Sequence, residues 1–187
     1  WAMEDTSVPI KPQYVIHTIR KKLDRNAIIC ADAGSNKRWA GTLLEIYEPR
    51  TWIHSGGFAP MGYALPAAIG AKVANPEKQV LAIIGDGAFQ MVMQELMVAI
   101  EQKLPIIIVV FNDYGLGVIR LLQKLFYGNN IFASNFSHKV DHANIAKSMG
   151  VEGFRCEKAH EFDLALEKAL RLDKPSKGFF SYGSSSS

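Results

Sequence analysis

Short apolar runs alternate with stretches of helical period along most of the chain. The two strongest runs, QVLAIIGD (79–86) and PIIIVVFND (105–113), are continuous and bounded by turn residues. That pattern predicts parallel strands covered on both faces. AIICAD (27–32), TWIHS (51–55) and EGFRCE (152–157) predict three more strands. Helical period predicts helices over PQYVIHTIRKKL (12–23, with Pro12 in its first turn), NKRWAGTLLEIY (36–47), GYALPAAIGAKVA (62–74) and AFQMVMQELMVAIEQK (88–103). Further helices are expected from about Leu116, over HANIAKSMG (142–150) and over HEFDLALEKALRL (160–172). Strand and helix in alternation predict a doubly wound α/β fold, with a mostly parallel sheet and helices on both faces. No internal repeat interrupts it.

The ends break the pattern. The first residues, WAMEDTSVPIKPQ, have a linker's composition, and SKGFFSYGSSSS (176–187) closes on a serine run that cannot bury anything. The expected organisation is therefore a linker-like 1–8, one domain over 9–175, and a disordered or non-native tail over 176–187, within a segment of a longer protein.

Composition then narrows the functional classes. With 187 residues, 48% hydrophobic and 21% charged, the chain suits one domain with a sizeable core. The net charge of +3 is dispersed and forms no basic block, which argues against nucleic acid as a partner. No apolar run is long enough to cross a membrane, and no signal-peptide pattern opens the chain. Cys30 and Cys156 have no metal-ligand spacing and read as small, reduced core residues of a cytoplasmic protein.

The candidate chemistry lies at the strand ends. Four predicted strands run into DAGSNK, SGGFAPMG, GDGAF and NDYGLG, and parallel strands place all four loops on one edge of the sheet. A glycine after a strand is by itself only a tight turn. Four glycine-bearing loops on one edge point instead to a ligand that the backbone approaches closely. GDGAF lacks the Lys-Ser or Lys-Thr of a P-loop, and Gln90 stands where G-x-G-x-x-G needs its third glycine. Asp86 is left either as a helix cap or as a metal ligand at a phosphate.

Gly85-Asp86-Gly87, an intervening helix and strand, and Asn112-Asp113 placed so that Asp113 falls 27 positions after Asp86 resemble the thiamine diphosphate motif. SGGFAPMGYALPAAIGAKVA, QELMVAI and LPIIIVVFND are similar to the family's flanking segments. Over about residues 10–175 the chain resembles the C-terminal, diphosphate-binding domain of the acetolactate synthase large subunit family.

The resemblance implies a site residue by residue. Asp86, Asp113 and the carbonyl of Gly115 would hold Mg²⁺, with two diphosphate oxygens and a water completing six oxygens. Gly85, Gly87 and Ala88 would border the diphosphate, with the amides of the last two as donors at a helix start. Ser35 and Asn36 match positions that touch the diphosphate, where many acetolactate synthases carry Gln-His. Met61 would wedge between the two rings of the cofactor, and the Met61 amide and Ala59 carbonyl would hold its pyrimidine edge. Without a metal, Asp113 would be a turn residue or a helix N-cap.

The family's activating glutamate belongs to a pyrimidine-binding domain, of the same or a neighbouring subunit, that nothing here matches. Glu95 reads as a helix-face residue, so no catalytic residue is expected in this chain. The implied assembly is a homodimer or homotetramer, and the implied substrate a small 2-oxoacid. Flavin is a further option for a full enzyme, on which these residues are silent. Arg120 reads either as a ligand for a substrate carboxylate or as a solvated surface residue. Ile119 stands where some decarboxylases carry an acid, and Leu122 where biosynthetic synthases often carry Trp. The implied activity is pyruvate decarboxylation with transfer of the two-carbon unit to a second 2-oxoacid. The alternatives are a 2-oxoacid decarboxylase, glyoxylate carboligase or pyruvate oxidase, or a cofactor-binding module inactive without its pyrimidine domain. His54, His138 and His142 read as surface or loop histidines.

Overall fold

The computed structural model describes residues 3–172, together with the backbone of 178–183. Six strands form one sheet: β1 (Ile28–Ala31), β2 (Trp52–His54), β3 (Val80–Gly85), β4 (Ile107–Asn112), β5 (Gly153–Cys156) and β6 (Gly178–Gly183). Their spatial order is β2-β1-β3-β4-β6-β5, and every neighbouring pair is parallel. Eight helices flank the sheet: α1 (Pro12–Lys22), α2 (Ser35–Leu43), α3 (Ala64–Ala74), α4 (Asp86–Val92), α5 (Leu96–Glu101), α6 (Gly117–Phe126), α7 (His142–Ser148) and α8 (Ala159–Arg171). The doubly wound α/β fold expected from the pattern is the fold observed.

The continuous apolar runs explain themselves once both faces are seen. Ile28, Cys30, Ala82, Ile84, Ile108 and Val110 face a core built with α3, α4, α5 and α7. Ile29, Leu81, Ile83, Ile107, Val109 and Phe111 face a second core built with α1, α2 and α8. Side chains alternate between faces along a strand, so a strand with no wet face has no polar positions. Both cysteines are buried and unpaired, as expected.

Three local expectations are corrected. The helix foreseen over 88–103 starts at Asp86 and is interrupted by a 3₁₀ turn, Met93–Glu95, before α5. Val92 leaves helical geometry at φ −136°, and apolar period alone does not register such a break. The helix foreseen over 36–47 ends at Leu43, where Leu44 turns extended ahead of Pro49. Within the stretch taken as a tail, Gly178–Gly183 forms β6, seated between β4 and β5. Its aromatic residues carry strand propensity that the trailing serines masked. Residues 184–187 lie outside those described.

His142 is also not a surface residue. It is 1% exposed, its ring meets Phe89 edge-on at 5.7 Å, and burial lowers its pKa.

Candidate active site

Strand order reverses between β1 and β3. From β1 the chain crosses through α2 on one face of the sheet, and from β3 through α4 on the other. The two connections part at the carboxyl ends of these strands and leave a crevice, the usual ligand position in such sheets. A cleft of about 600 Å³ opens there. Ser35, Asn36, Ala59, Met61, Gly85, Asp86, Gly87, Ala88, Asp113 and Gly115 all line it, so the four strand-end loops meet as expected. Trp39, Phe111 and Leu116 add apolar wall, while Glu95 lies in the 3₁₀ turn, outside the lining.

Asp86 sits at the first position of α4 and is 2% exposed. It does not act as the N-cap, which is Gly85. One carboxylate oxygen accepts from the Gly87 amide at 2.8 Å, the other from the Gly115 amide at 3.1 Å. Burial, and then the charge of Asp113, push its pKa up to about 7 against these amides. The Asp113 carboxyl is raised as well, by burial, with Arg120 opposing.

A buried carboxylate whose proton affinity is raised by burial and then by a second carboxylate beside it is a place for a cation. Among the described residues no cluster of three His, Cys, Asp or Glu side chains is found, so further ligands would be main chain, water or the anion itself. Gly115 fits this role. It pairs with Asn135 in an isolated antiparallel bridge whose bonds run from the Leu116 and Phe136 amides, leaving the Gly115 carbonyl out of the bridge.

The same coupling fixes a pH response. Asp86 titrates higher in the fold than at its ordinary value of 3.8, so the native state holds the extra proton between those limits. Stability of the metal-free chain is therefore full below about pH 4 as far as this group is concerned, and falls as pH rises towards 7. The penalty above pH 7 is on the order of a few kcal/mol. Melting curves of chelator-treated protein should shift down from pH 5 to pH 8 at constant salt, and Mg²⁺ with diphosphate should reverse the shift. A flat profile would mean that Asp86 keeps its ordinary carboxylate range in the fold.

The anion side is partly preorganised. A side chain at Gly87 would strike Leu116, Phe136 and the Met61 methyl at 3.1–3.3 Å, so the backbone there is open only because it is glycine. Two expected donors are engaged within the chain. The Gly87 amide is turned onto Asp86, and the Asn36 side chain donates to the carbonyls of Asp32 and Ile83 at 3.3 and 3.2 Å. Ser35, at the start of α2, lines the cleft beside them.

Met61 reaches across the cleft floor and is 37% exposed, on a loop with left-handed residues at Ala59 (φ 45°) and Gly62 (φ 85°). Among the described residues, nothing lies within 4 Å of a Cβ placed on Gly56 or Gly57.

One residue of the site escaped the sequence reading. Asp32, fully buried at the end of β1, accepts from the Gly62 amide at 2.9 Å and the Ala64 amide at 2.7 Å. It thereby caps α3 from a neighbouring strand, since α3 has no side-chain cap of its own. A carboxylate at a helix start is favoured by the exposed amides and the macrodipole. The Met61 loop hangs from this contact. The only sequence signal was an acidic residue ending a buried strand.

The family model described as "Thiamine pyrophosphate enzyme, C-terminal TPP binding domain" matches residues 32–177. The chain is 40% identical over 171 residues to the acetolactate synthase large subunit of Corynebacterium glutamicum, covering 89% of this chain and 27% of that protein. It is 36% identical over 178 residues to a probable acetolactate synthase large subunit of Methanococcus aeolicus, covering 92% and 30%. The isozyme 1 large subunit of Escherichia coli matches at 37% over 167 residues, covering 89% and 29%. The chain thus spans less than a third of the length of these relatives.

Proposed function

Because the chain belongs to the thiamine pyrophosphate enzyme family as a C-terminal TPP-binding domain, we propose that it forms the diphosphate and metal half of a carboligase site. The reaction is of the acetolactate synthase type: decarboxylation of pyruvate and transfer of the two-carbon unit to a second 2-oxoacid. The observation that carries this reading is the convergence of Asp86 and Asp113 in one cleft that Met61 also lines. Asp86, Asp113 and the Gly115 carbonyl hold Mg²⁺. Ser35, Gly87 and Ala88 face the diphosphate, and Asn36 fixes the wall behind it. Ala59 and Met61 hold the pyrimidine edge and set the angle between the two rings. When bound, the cofactor supplies a nucleophilic carbon and a sink for the electrons released by decarboxylation. The chain supplies position, a dry apolar wall and charge balance.

No glutamate lines the cleft among the described residues, so activation of the cofactor needs a pyrimidine-binding domain of the same or a neighbouring subunit. Phe58, Leu125, Phe126 and Tyr127 are each at least 64% exposed, and such a partner would cover them. We take the assembly to be a homodimer or homotetramer working in the cytoplasm, where buried, unpaired Cys30 and Cys156 remain reduced.

The test has two stages. The chain alone is titrated with thiamine diphosphate, with and without Mg²⁺. It then replaces the matching segment of the Corynebacterium glutamicum large subunit, and products from pyruvate are identified. Metal-dependent binding without turnover by the chain alone, and acetolactate from the chimera, are the expected results. Acetaldehyde without acetolactate would overturn the carboligase reading, and metal-independent binding would overturn the site.

A further inference from the structure

We propose that Arg120 is a positioning residue for the cation site: its guanidinium balances Asp113 and clamps the 113–115 loop, so that a second carboxylate can stand beside Asp86 and a diphosphate. The inference rests on the metal role given to Asp113 above. Arg120 lies on the first turn of α6 and forms an ion pair with the Asp113 carboxylate. Both of its terminal nitrogens donate to the Asp113 main-chain carbonyl at 3.2 Å, and one donates to the Asn135 side-chain oxygen at 3.0 Å. A Cβ on Gly115 would lie 2.7 Å from the guanidinium, so that group backs directly onto the residue whose carbonyl is offered to the metal. The fork therefore touches carboxylate, carbonyl and the Asn135 side chain at once, which a lysine cannot reproduce.

This arrangement answers a difficulty in the donor set. Two carboxylates strengthen the hold on Mg²⁺ and repel the diphosphate that shares it. A fixed positive charge on the far side of Asp113 offsets that repulsion without entering the site. It also displaces the reading of Arg120 as a substrate ligand, because a substrate carboxylate would have to compete with Asp113 for donors already engaged.

Five versions of the chain test this: unmodified, Arg120→Gln, Arg120→Lys, Asp113→Asn and the double Arg120→Gln/Asp113→Asn variant. Mg²⁺ affinity at saturating thiamine diphosphate is measured by calorimetry, and thermal unfolding is measured without ligand. Arg120→Gln should weaken metal-dependent binding about tenfold or more when Asp113 is present, the scale of losing an outer partner of a metal ligand. With Asn at 113 the same change should cost clearly less, because the clamp on the loop is still lost but no carboxylate charge at 113 remains to balance. Arg120→Lys should recover part of the loss. Equal losses in both backgrounds, or none, would overturn the pairing. The unfolding cycle reads the ion pair without metal: coupling there and none in binding would confine Arg120 to stability and overturn its role at the cation. An unmodified chain that shows no Mg²⁺-dependent binding would overturn the metal site, and this inference with it.

Discussion

Asp86→Ala abolishes metal-dependent binding of thiamine diphosphate by this chain, and Asp86→Asn does the same while making the ligand-free fold more stable. The first half follows from the donor set. A cation held by two carboxylates and neutral oxygens loses half its protein charge with Asp86. Removing one member of a buried ionic contact costs roughly 3–5 kcal/mol, a factor of about 10²–10⁴ in affinity. The second half follows from the ligand-free electrostatics. Burial and Asp113 already raise the Asp86 pKa to about 7, so its charge is a burden on the empty fold. Asparagine removes that charge and keeps one acceptor for the Gly87 or Gly115 amide. At pH 8 its melting temperature should rise by a few degrees as calorimetric binding disappears, opposite signs that mark a group kept for function. If Asp86→Asn lowered stability and left affinity unchanged, Asp86 would be a helix-start residue and no more.

Asp32→Ala should be among the most damaging substitutions at the site, and through the fold rather than the chemistry. The change strands the Gly62 and Ala64 amides, whose partner now is a fully buried carboxylate. Leaving one buried and one half-buried donor unpaired costs roughly 2–4 kcal/mol in total, a large part of the 5–15 kcal/mol that a domain usually has. Asp32→Asn should cost about half as much, because its amide group turns a donor towards one of the two N–H groups. Urea unfolding measures the loss, and hydrogen exchange at residues 62–64 locates it. A loss below about 1 kcal/mol for Asp32→Ala would show that the Met61 loop is held by other means.

These residues mark where the sequence was legible. β3 and β4 announced themselves because strands buried on both faces contain no polar position to confuse their period. Asp86, Asp113 and Met61 were named from the resemblance to the thiamine diphosphate motif, and the fold brings all three to one cleft. Asp32 was not, since its partners lie thirty positions away across a strand boundary and a lone aspartate looks like any turn residue. His142 misled for the same reason, its burial coming from Phe89 on another helix. The break at Met93–Glu95 is invisible to apolar period, which continues across it. Arg120 was ambiguous until α6 was placed, because a charged residue in a first helical turn gives no sign of which way its fork points.

The position of β6 has a consequence for how the chain is made. The last described segment sits inside the sheet, with β4 on one side and β5 on the other. Synthesis releases the chain from its amino end. β5, with α7 and α8 around it, therefore leaves the ribosome before the strand that joins it to the rest. Until then the edge of β4 stands open beside the finished cleft, a bare template for another chain. The nascent domain must wait for β6 to close that seam, and a chaperone that shields the β4 edge would act between the emergence of β4 and that of β6.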